Sequence, residues 1–443
     1  MVTVGERWIK RPAKERGRPG DQRVAQRVSE MLLRIQRDGA DAVRAYSREL
    51  DGWDPADFRV SEREVEKATA SLDDDLLQHI AFAQEQVRRF AELQRGTLTD
   101  LEVETLPGVV LGHRHVPVAT VGAYVPGGRL PMLASSFMTV IVPKVAGVER
   151  VVACAPPRDA VGIYPAMLHA ISTSGADEIF AVGGVQALAA MAFGIDEMGP
   201  VDILVGAGNA FVAEAKRQLF GHTGIDLLAG PTEILVIADE TADPGIVAAD
   251  LLGQAEHGPT SPALLITTSE WHGREVLAEI DRQVEELPDA SVAGEAWRDF
   301  GAIALVDDRE AAAALADDWA PEHLEVQTGD DDWYLGRLRN YGSLFLGEAA
   351  TVAYSDKAIG TNHVLPTGRA ARYTGGLWVG RFLKTLTYQR VTSDEGTRLV
   401  GGPTRAICQA EHMWAHAITV DKRLERLADD RRSSAGERPP EPR

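Results

Sequence analysis

Apolar residues recur at helical spacing from 24 to 50 (VAQRVSEMLLRIQRDGADAVRAYSREL), and the pattern continues over 62 to 95, where SEREVEKA carries a capping signal. Near Leu106 the character changes to short Val- and Gly-rich runs, GVVLGHRHVPVATVGAYVPGG, which predict strands. From there to about Ile237, strand and helix alternate: ERVVACAPP, EIFAVGG and VDILVGAGN read as strands, YPAMLHAISTSG, VQALAAMAFG and AFVAEAKRQLFG as helices. A second set follows, with TEILVIAD, PALLITTS, GAIALVDD, LEVQT and SLFLGE as strands and PGIVAADLLGQAEH and WHGREVLAEIDRQVEEL as helices. Such alternation implies βαβ units, hence an α/β fold of parallel sheets with helices on both faces. The two blocks resemble each other in pattern. Residues 378–398 and 403–427 read as helical, and the closing RRSSAGERPPEPR is polar and Pro-rich enough to be disordered.

At 443 residues the chain exceeds one ordinary core, so two or more domains are expected. A formal net charge of -20 argues against a nucleic-acid partner, which needs a surplus of Lys and Arg. The basic amino end (Arg7, Lys10, Arg11, Lys14, Arg16, Arg18) has no apolar core, so it reads as neither a secretory signal nor a membrane anchor. No apolar run elsewhere is long enough to span a bilayer. Cys154 and Cys408 are too few for a disulfide scaffold, and a reducing cytoplasm is the expected location.

Within DLLGQAEHGPTS, Gln254 and His257 are three residues apart near the end of a helix that Asp243 and Pro244 begin and Gly258-Pro259 stop. Their side chains would share a face, open to a metal or a polar substrate; equally, Gln254 could cap carbonyls and His257 complement the helix dipole. The strand, GAGN and helix between Val201 and Phe220 outline a nucleotide-binding turn. The third glycine of the full fingerprint is replaced by Phe211, so an ordinary βα turn is the alternative. Tyr124 with the Pro126-Gly127-Gly128 turn is ambiguous in the same way, while Gln186 follows Gly183-Gly184 at the sheet edge where ligands usually bind. Glu322 and His323 follow Pro321 on a turn before a strand, where they are either two bases, one for an alcohol and one for a water, or a solvated loop pair. YSDKAIGTNHVLPTG offers Asp356 and His363 in an irregular loop; QAEHMWAHAITV offers Glu411, His412 and His416 on a helix. Gln254, His257, Asp356 and His416 would make a four-ligand zinc set, although spacing alone does not select them.

From Val121 to Val420 the chain resembles the histidinol dehydrogenase family. GAYVPGG, KVAGV, VGGVQALAAMAFG, VGAGNAFVAEAK, GIDLLAGPTEILVIADETADP, VAADLLGQAEHGP, APEHLEV and GTNHVLPTG occur in the family's order. The resemblance implies a zinc-containing, NAD-dependent dehydrogenase that oxidises an alcohol through an aldehyde to a carboxylate, with two hydrides leaving in succession. It also implies two incomplete Rossmann-like domains, one inserted in the other, and a homodimer with shared active sites. On that template residues 1–20 form an arm, 21–123 and 231–377 the domain with zinc and catalytic residues, 124–230 the inserted NAD-side domain, 378–430 a helical dimerisation piece and 431–443 a tail. The zinc ligands would be Gln254, His257 and Asp356 from one subunit and His416 from the other; the catalytic pair Glu322 and His323; the NAD contacts Tyr124, Gln186 and Asn209; and the substrate-side residues Thr232, His363 and Glu411. Thr232 stands where histidinol enzymes usually carry Ser, and PGGRLPMLASS with ARYTGGLWVGRFLKTLTYQR is similar to the branch that oxidises 2,3-dihydroxypropane-1-sulfonate. Arg129 and Tyr388-Gln389 motivate placing that diol ahead of L-histidinol. A non-catalytic ligand-binding relative and a dehydrogenase that stops at the aldehyde are the rival expectations.

Overall fold

The computed structural model describes residues 7–14, 22–127, 130–158 and 161–434, with side chains of the last helix described to Asp429. Arg16, Arg18, Arg129 and the tail from 435 lie outside the described residues. The chain divides into two compact units, 1–95 with 118–382, and 96–117 with 383–443.

The first unit holds two sheets of the α/β class expected. One contains β4 (Thr120–Tyr124), β5 (Arg150–Ala155), β6 (Glu178–Ala181), β7 (Ile203–Val205) and β8 (Gly224–Ile225), all parallel, in the order β6-β5-β4-β7-β8. The other contains β9 (Ile234–Ala238), β10 (Ala263–Thr267), β11 (Gly301–Leu305), β12 (His323–Gln327) and β13 (Ser343–Leu346), parallel in the order β11-β10-β9-β12-β13, with β1 (Arg7–Lys10) antiparallel at the β11 edge. Numbered by appearance, both sets of five parallel strands read 3-2-1-4-5, the doubly wound order in which the chain reverses direction beside its first strand. The continuous apolar runs follow from this burial: all five residues of β9, β10 and β11 are buried between helices on both faces.

The division of the chain differs from the expected one. Residues 22–95, assigned from sequence to the domain with the catalytic residues, pack instead on the five-stranded sheet. Val28, Met31, Leu32 and Ile35 share a core with Val185, Leu188 and Val212, and the Ser61 and Glu64 capping box forms as the sequence indicates. Residues 7–10, expected in an arm, are a sheet strand because β11 offers them an edge.

The second unit contains a sheet of β2 (Leu101–Leu106), β3 (Val109–Pro117) and β14 (Leu383–Val391) and two helices, Asp394–Ala410 and Trp414–Ser434. Here the helix expected over 378–398 is corrected. Residues 383–391 pair along their whole length with β3, and the helix begins only after Ser393, whose side chain accepts from the Gly396 N–H. The second expected helix, over 403–427, is broken at Glu411–Met413, where His412 takes a φ of 57°. Glu411 ends one helix and His416 lies in the first turn of the next, both exposed. The last helix runs through Ser434, so Arg431–Ser434 are helical where a disordered tail was expected.

Candidate active site

Helices of an α/β sheet run against its strands, so the end of the helix after β9 returns to the end of the sheet where β9 begins. That helix is Pro244–Ala255, capped as expected by Asp243, which accepts from the Gly245 and Ile246 N–H groups. Gln254 is in its last turn, whereas His257 lies two residues past its end, held by its N–H to the Gln254 carbonyl. Strands β9 and β12 are in register at Ile234 and His323, which sets Glu322 opposite Glu233. Ala320 leaves the preceding Arg309–Trp319 helix at a φ of 51°, and Pro321 then turns the chain into the strand. Gly342 is confined to glycine there, because a Cβ would lie 2.5 Å from the Glu322 carbonyl oxygen. Asp356 comes from the short helix Val352–Lys357, and His363 from the loop that follows.

These residues are held by two sets of close polar contacts. Gln254 Nε2 donates to Thr232 Oγ1 at 2.5 Å, and Thr232 Oγ1 donates to Glu322 Oε2, also at 2.5 Å. The Glu233 N–H donates to the same Glu322 oxygen at 2.9 Å. His323 Nδ1 lies 3.0 Å from the Glu233 carbonyl, so that nitrogen carries the proton and Nε2 keeps its lone pair, which is buried and without a partner. His257 Nε2 lies 3.5 Å from Asp356 Oδ2, and His363 Nδ1 3.9 Å from Asp356 Oδ1. Ser135 pairs with His363 Nε2 at 2.7 Å.

Burial sets the charge states. It pushes the Glu322 carboxyl well above the usual carboxylate range against the two hydrogen bonds that oppose it, and it pushes His323 down to about 4, so the imidazole is neutral at pH 7. Burial also opposes ionisation of Asp356, yet the hydrogen bond from His257 and the nearby His363 and Lys357 hold it low. Its bond to Asp356 raises His257 against burial. A neutral imidazole with a free lone pair beside a carboxyl of raised pKa can take protons from two different donors.

The donors present suit a metal. With Nε2 spent on Thr232, Gln254 keeps a buried Oε1 that has no partner. His257 directs Nδ1 to the Gly253 carbonyl at 3.2 Å, the outer-shell bond that leaves Nε2 as a ligand atom. With an Asp356 oxygen this gives an O, N, O set, one short of the usual zinc complement. Among the described residues no group of three or more His, Cys, Asp or Glu is placed to hold a metal, and one of the three donors named here is Gln. His416 and Glu411 belong to the second unit.

The residues expected at the cofactor lie in the five-stranded sheet. Tyr124 ends β4, the Gly206–Asn209 turn follows β7, and these adjacent strands flank the switch point where ligands of doubly wound sheets bind. Gly206 has a φ of 117°, and a Cβ there would be 2.1 Å from the Tyr124 carbonyl oxygen. Asn209 is exposed and caps the Ala210–Leu219 helix; Tyr124 and Gln186 are buried, Gln186 donating to Asp51 at 2.9 Å and keeping Oε1 unpartnered. In the six-stranded sheet the corresponding carboxyl-end crevice is a cavity of about 470 Å³ lined by Asp239, Asp308, Thr328, Tyr334 and the ion pair of Arg309 with Asp330, away from Glu322 and His323 at the amino end.

Glu233 and Ser135 were not among the residues expected from sequence. Glu233 orients His323 through a carbonyl that carries no side-chain signal, and its buried carboxylate accepts from the Gly368 N–H at 3.1 Å. Tyr388, expected near substrate, lies on β14 with its hydroxyl donating to Glu102 at 2.6 Å.

An imidazole base and a buried carboxyl at the end of a doubly wound sheet define an α/β enzyme equipped for proton transfer. Residues 14–424 match the model of the family described as histidinol dehydrogenase. The chain is 54% identical over 404 residues to a histidinol dehydrogenase homolog of Shouchella clausii, covering 91% of this chain and 95% of that one. It is 47% identical over 409 residues to a sulfopropanediol 3-dehydrogenase of Ruegeria pomeroyi, covering 92% and 94%. The crystal structure of histidinol dehydrogenase from Elizabethkingia anophelis is similar with a TM-score of 0.88 at 33% identity, covering 94% of this chain and 95% of that one. The chain therefore belongs to the histidinol dehydrogenase family and is an enzyme acting on CH–OH.

Proposed function

We propose that the enzyme is a zinc- and NAD-dependent dehydrogenase that oxidises a small polar alcohol through the aldehyde to the carboxylate, with 2,3-dihydroxypropane-1-sulfonate ahead of L-histidinol. The observation that carries the chemistry is the buried, unpartnered Nε2 of a neutral His323 beside Glu322. Zinc on Gln254, His257 and Asp356 would hold a polar substrate group, and a nicotinamide bound at the β4 and β7 crevice would take up hydride. His323 receives the hydroxyl proton at Nε2, while the Glu233 carbonyl holds its ring in place. Glu322, ionised, takes the proton of the water that attacks the aldehyde, and Thr232 and the Glu233 N–H hold its carboxylate. Thr232 and His363 line the substrate side. The similarity to a sulfopropanediol 3-dehydrogenase supports the order of substrates.

The second unit is read as the dimerisation piece. Leu101, Val103 and Leu106 on β2, and Ile407, Met413, Trp414 and Ile418 on the helices and the break between them, are 41–59% exposed, more apolar surface than a small unit usually leaves in water. Covered by a second copy, this piece would bring Glu411 and the fourth ligand His416 to the neighbouring site. Among the described residues no helix is long and apolar enough to cross a membrane, and the cytoplasm is the proposed location.

The test is NADH formation by zinc-loaded protein with each alcohol, counted per molecule oxidised. About two per sulfonate diol is expected. NADH with L-histidinol alone reverses the substrate order, one NADH per alcohol points to arrest at the aldehyde, and none across a panel of diols and amino alcohols leaves a non-catalytic binding protein. Mixed His323→Ala and His416→Ala subunits should regain activity; verified heterodimers that stay inactive refute the shared site.

A further inference from the structure

The elements that carry Gln254, Glu322-His323 and Asp356 are joined by a second, buried polar cluster. Asp250 lies one turn before Gln254 on the same helix, and Glu325 and Gln327 follow His323 at two-residue steps on one face of β12. Gln327 Nε2 donates to Asp250 Oδ2 at 2.9 Å and lies 3.2 Å from Glu325 Oε2. From the helix that bears Asp356, the Thr351 hydroxyl donates to Asp250 Oδ1 at 2.9 Å, and the Val352 N–H donates to Glu325 Oε1 at 3.1 Å. Both carboxyl groups face the same Gln327 amide, and burial raises each of them toward its neutral form. Two ionised carboxylates in this buried setting would repel, which favours a proton on the pair. Glu325 is fully buried and Gln327 is 1% exposed, so water does not supply substitutes.

We infer that Asp250 and Glu325 form a positioning pair that fixes the Gln254–His257 turn against Asp356 by gripping the first turn of the Asp356 helix. The inference rests on the metal reading of those residues given above. Neither side chain touches substrate; each acts through the elements it joins.

The experiment compares wild type, Glu325→Leu and Glu325→Gln as full-length protein, reading zinc affinity by chelator competition and hydrogen exchange over residues 351–357 in zinc-free protein. Glu325→Leu should weaken zinc binding by ~10–100-fold, the usual cost of losing an outer-shell partner. It should also speed exchange over 351–357 while leaving the five-stranded sheet unchanged. Glu325→Gln keeps a donor toward Asp250 and an acceptor toward Val352, and should match wild type in both readouts. A Glu325→Leu protein that melts earlier but keeps wild-type zinc affinity and exchange overturns the inference, as does a Glu325→Gln protein impaired like the leucine variant. If the leucine variant does not fold, Thr351→Val carries the same expectation. A wild-type chain that binds no zinc overturns the metal reading instead, and exchange over 351–357 then decides the role of the pair.

Discussion

Replacing Thr232 by valine keeps the volume of the side chain and removes its hydroxyl, which both accepts from Gln254 Nε2 and donates to Glu322 Oε2. Gln254 is 2% exposed, so its Nε2 would be left buried without a partner, at a cost of ~1–3 kcal/mol. A half-turn of the amide relieves that strain only by aiming the N–H₂ donors where Oε1 now faces, and those cannot bind a cation. In either case the oxygen loses its fixed direction. A difference of ~1–3 kcal/mol is about 5–150-fold in affinity, which overlaps the ~10–100-fold usual for lost outer-shell partners. Thr232→Val should therefore weaken zinc binding by ~10–100-fold, while Thr232→Ser, which retains the hydroxyl, should stay near wild type. Zinc titration against a chromophoric chelator reads the affinity, and the unfolding midpoint shows whether each variant is folded. A folded valine variant that binds zinc as tightly as the serine variant refutes the reasoning.

Glu322→Gln should oxidise alcohol to aldehyde yet fail to activate water, so NADH per alcohol falls from about two to about one, as product analysis would show; undiminished acid formation counts against Glu322 as the second base. Lys216 and Asp226 form an ion pair with side chains 1% and 0% exposed, tied to Gly206 through its carbonyl and N–H. Lys216→Met strands the Asp226 charge and should cost ~3–5 kcal/mol, read by denaturant unfolding; a loss under ~1 kcal/mol contradicts the buried pair. Burial raises Glu325 well above the usual range, so the folded protein binds more protons than the unfolded chain above about pH 4.3. The stability Glu325 contributes is complete below that pH and is lost as pH rises through its folded value. Glu322 has the same sign, so the difference between wild type and Glu325→Gln isolates Glu325. Parallel stability curves for the two proteins across that window would disprove the assignment.

The alternation of strands and helices was legible because helix caps and apolar runs are local: Asp243 and Ser61 cap where the sequence says they should. The Leu133–Ala146 helix, which carries Ser135, was not, since it is buried on nearly every side and its apolar residues have no helical period. Strand β14 read as helix for the opposite reason. Its residues are mostly exposed on both faces, so no apolar alternation marks it, and only pairing with β3 makes it a strand. At the site, the spacing of Gln254 and His257 suggested a shared direction, but Asp356 is about a hundred residues away and entered through resemblance rather than spacing. What orients His323 is a backbone carbonyl selected by strand register, a quantity no side-chain pattern encodes.

Two sheets with one strand order use opposite ends. In the five-stranded sheet the crevice past the carboxyl ends of the central strands gathers Tyr124, Gly206 and Asn209; in the six-stranded sheet Glu322 and His323 stand where β12 begins, and the far crevice is lined by Asp239, Asp308 and Asp330, with Arg309 among them. The carboxylates there outnumber the lining cation Arg309, which is itself paired with Asp330, so the edge repels phosphate. A search guided by topology alone would therefore dock a dinucleotide at an edge whose charge rejects it and overlook the residues a strand's length away. Strand order records how the halves were wound, and the charge at each edge records which half was put to which use.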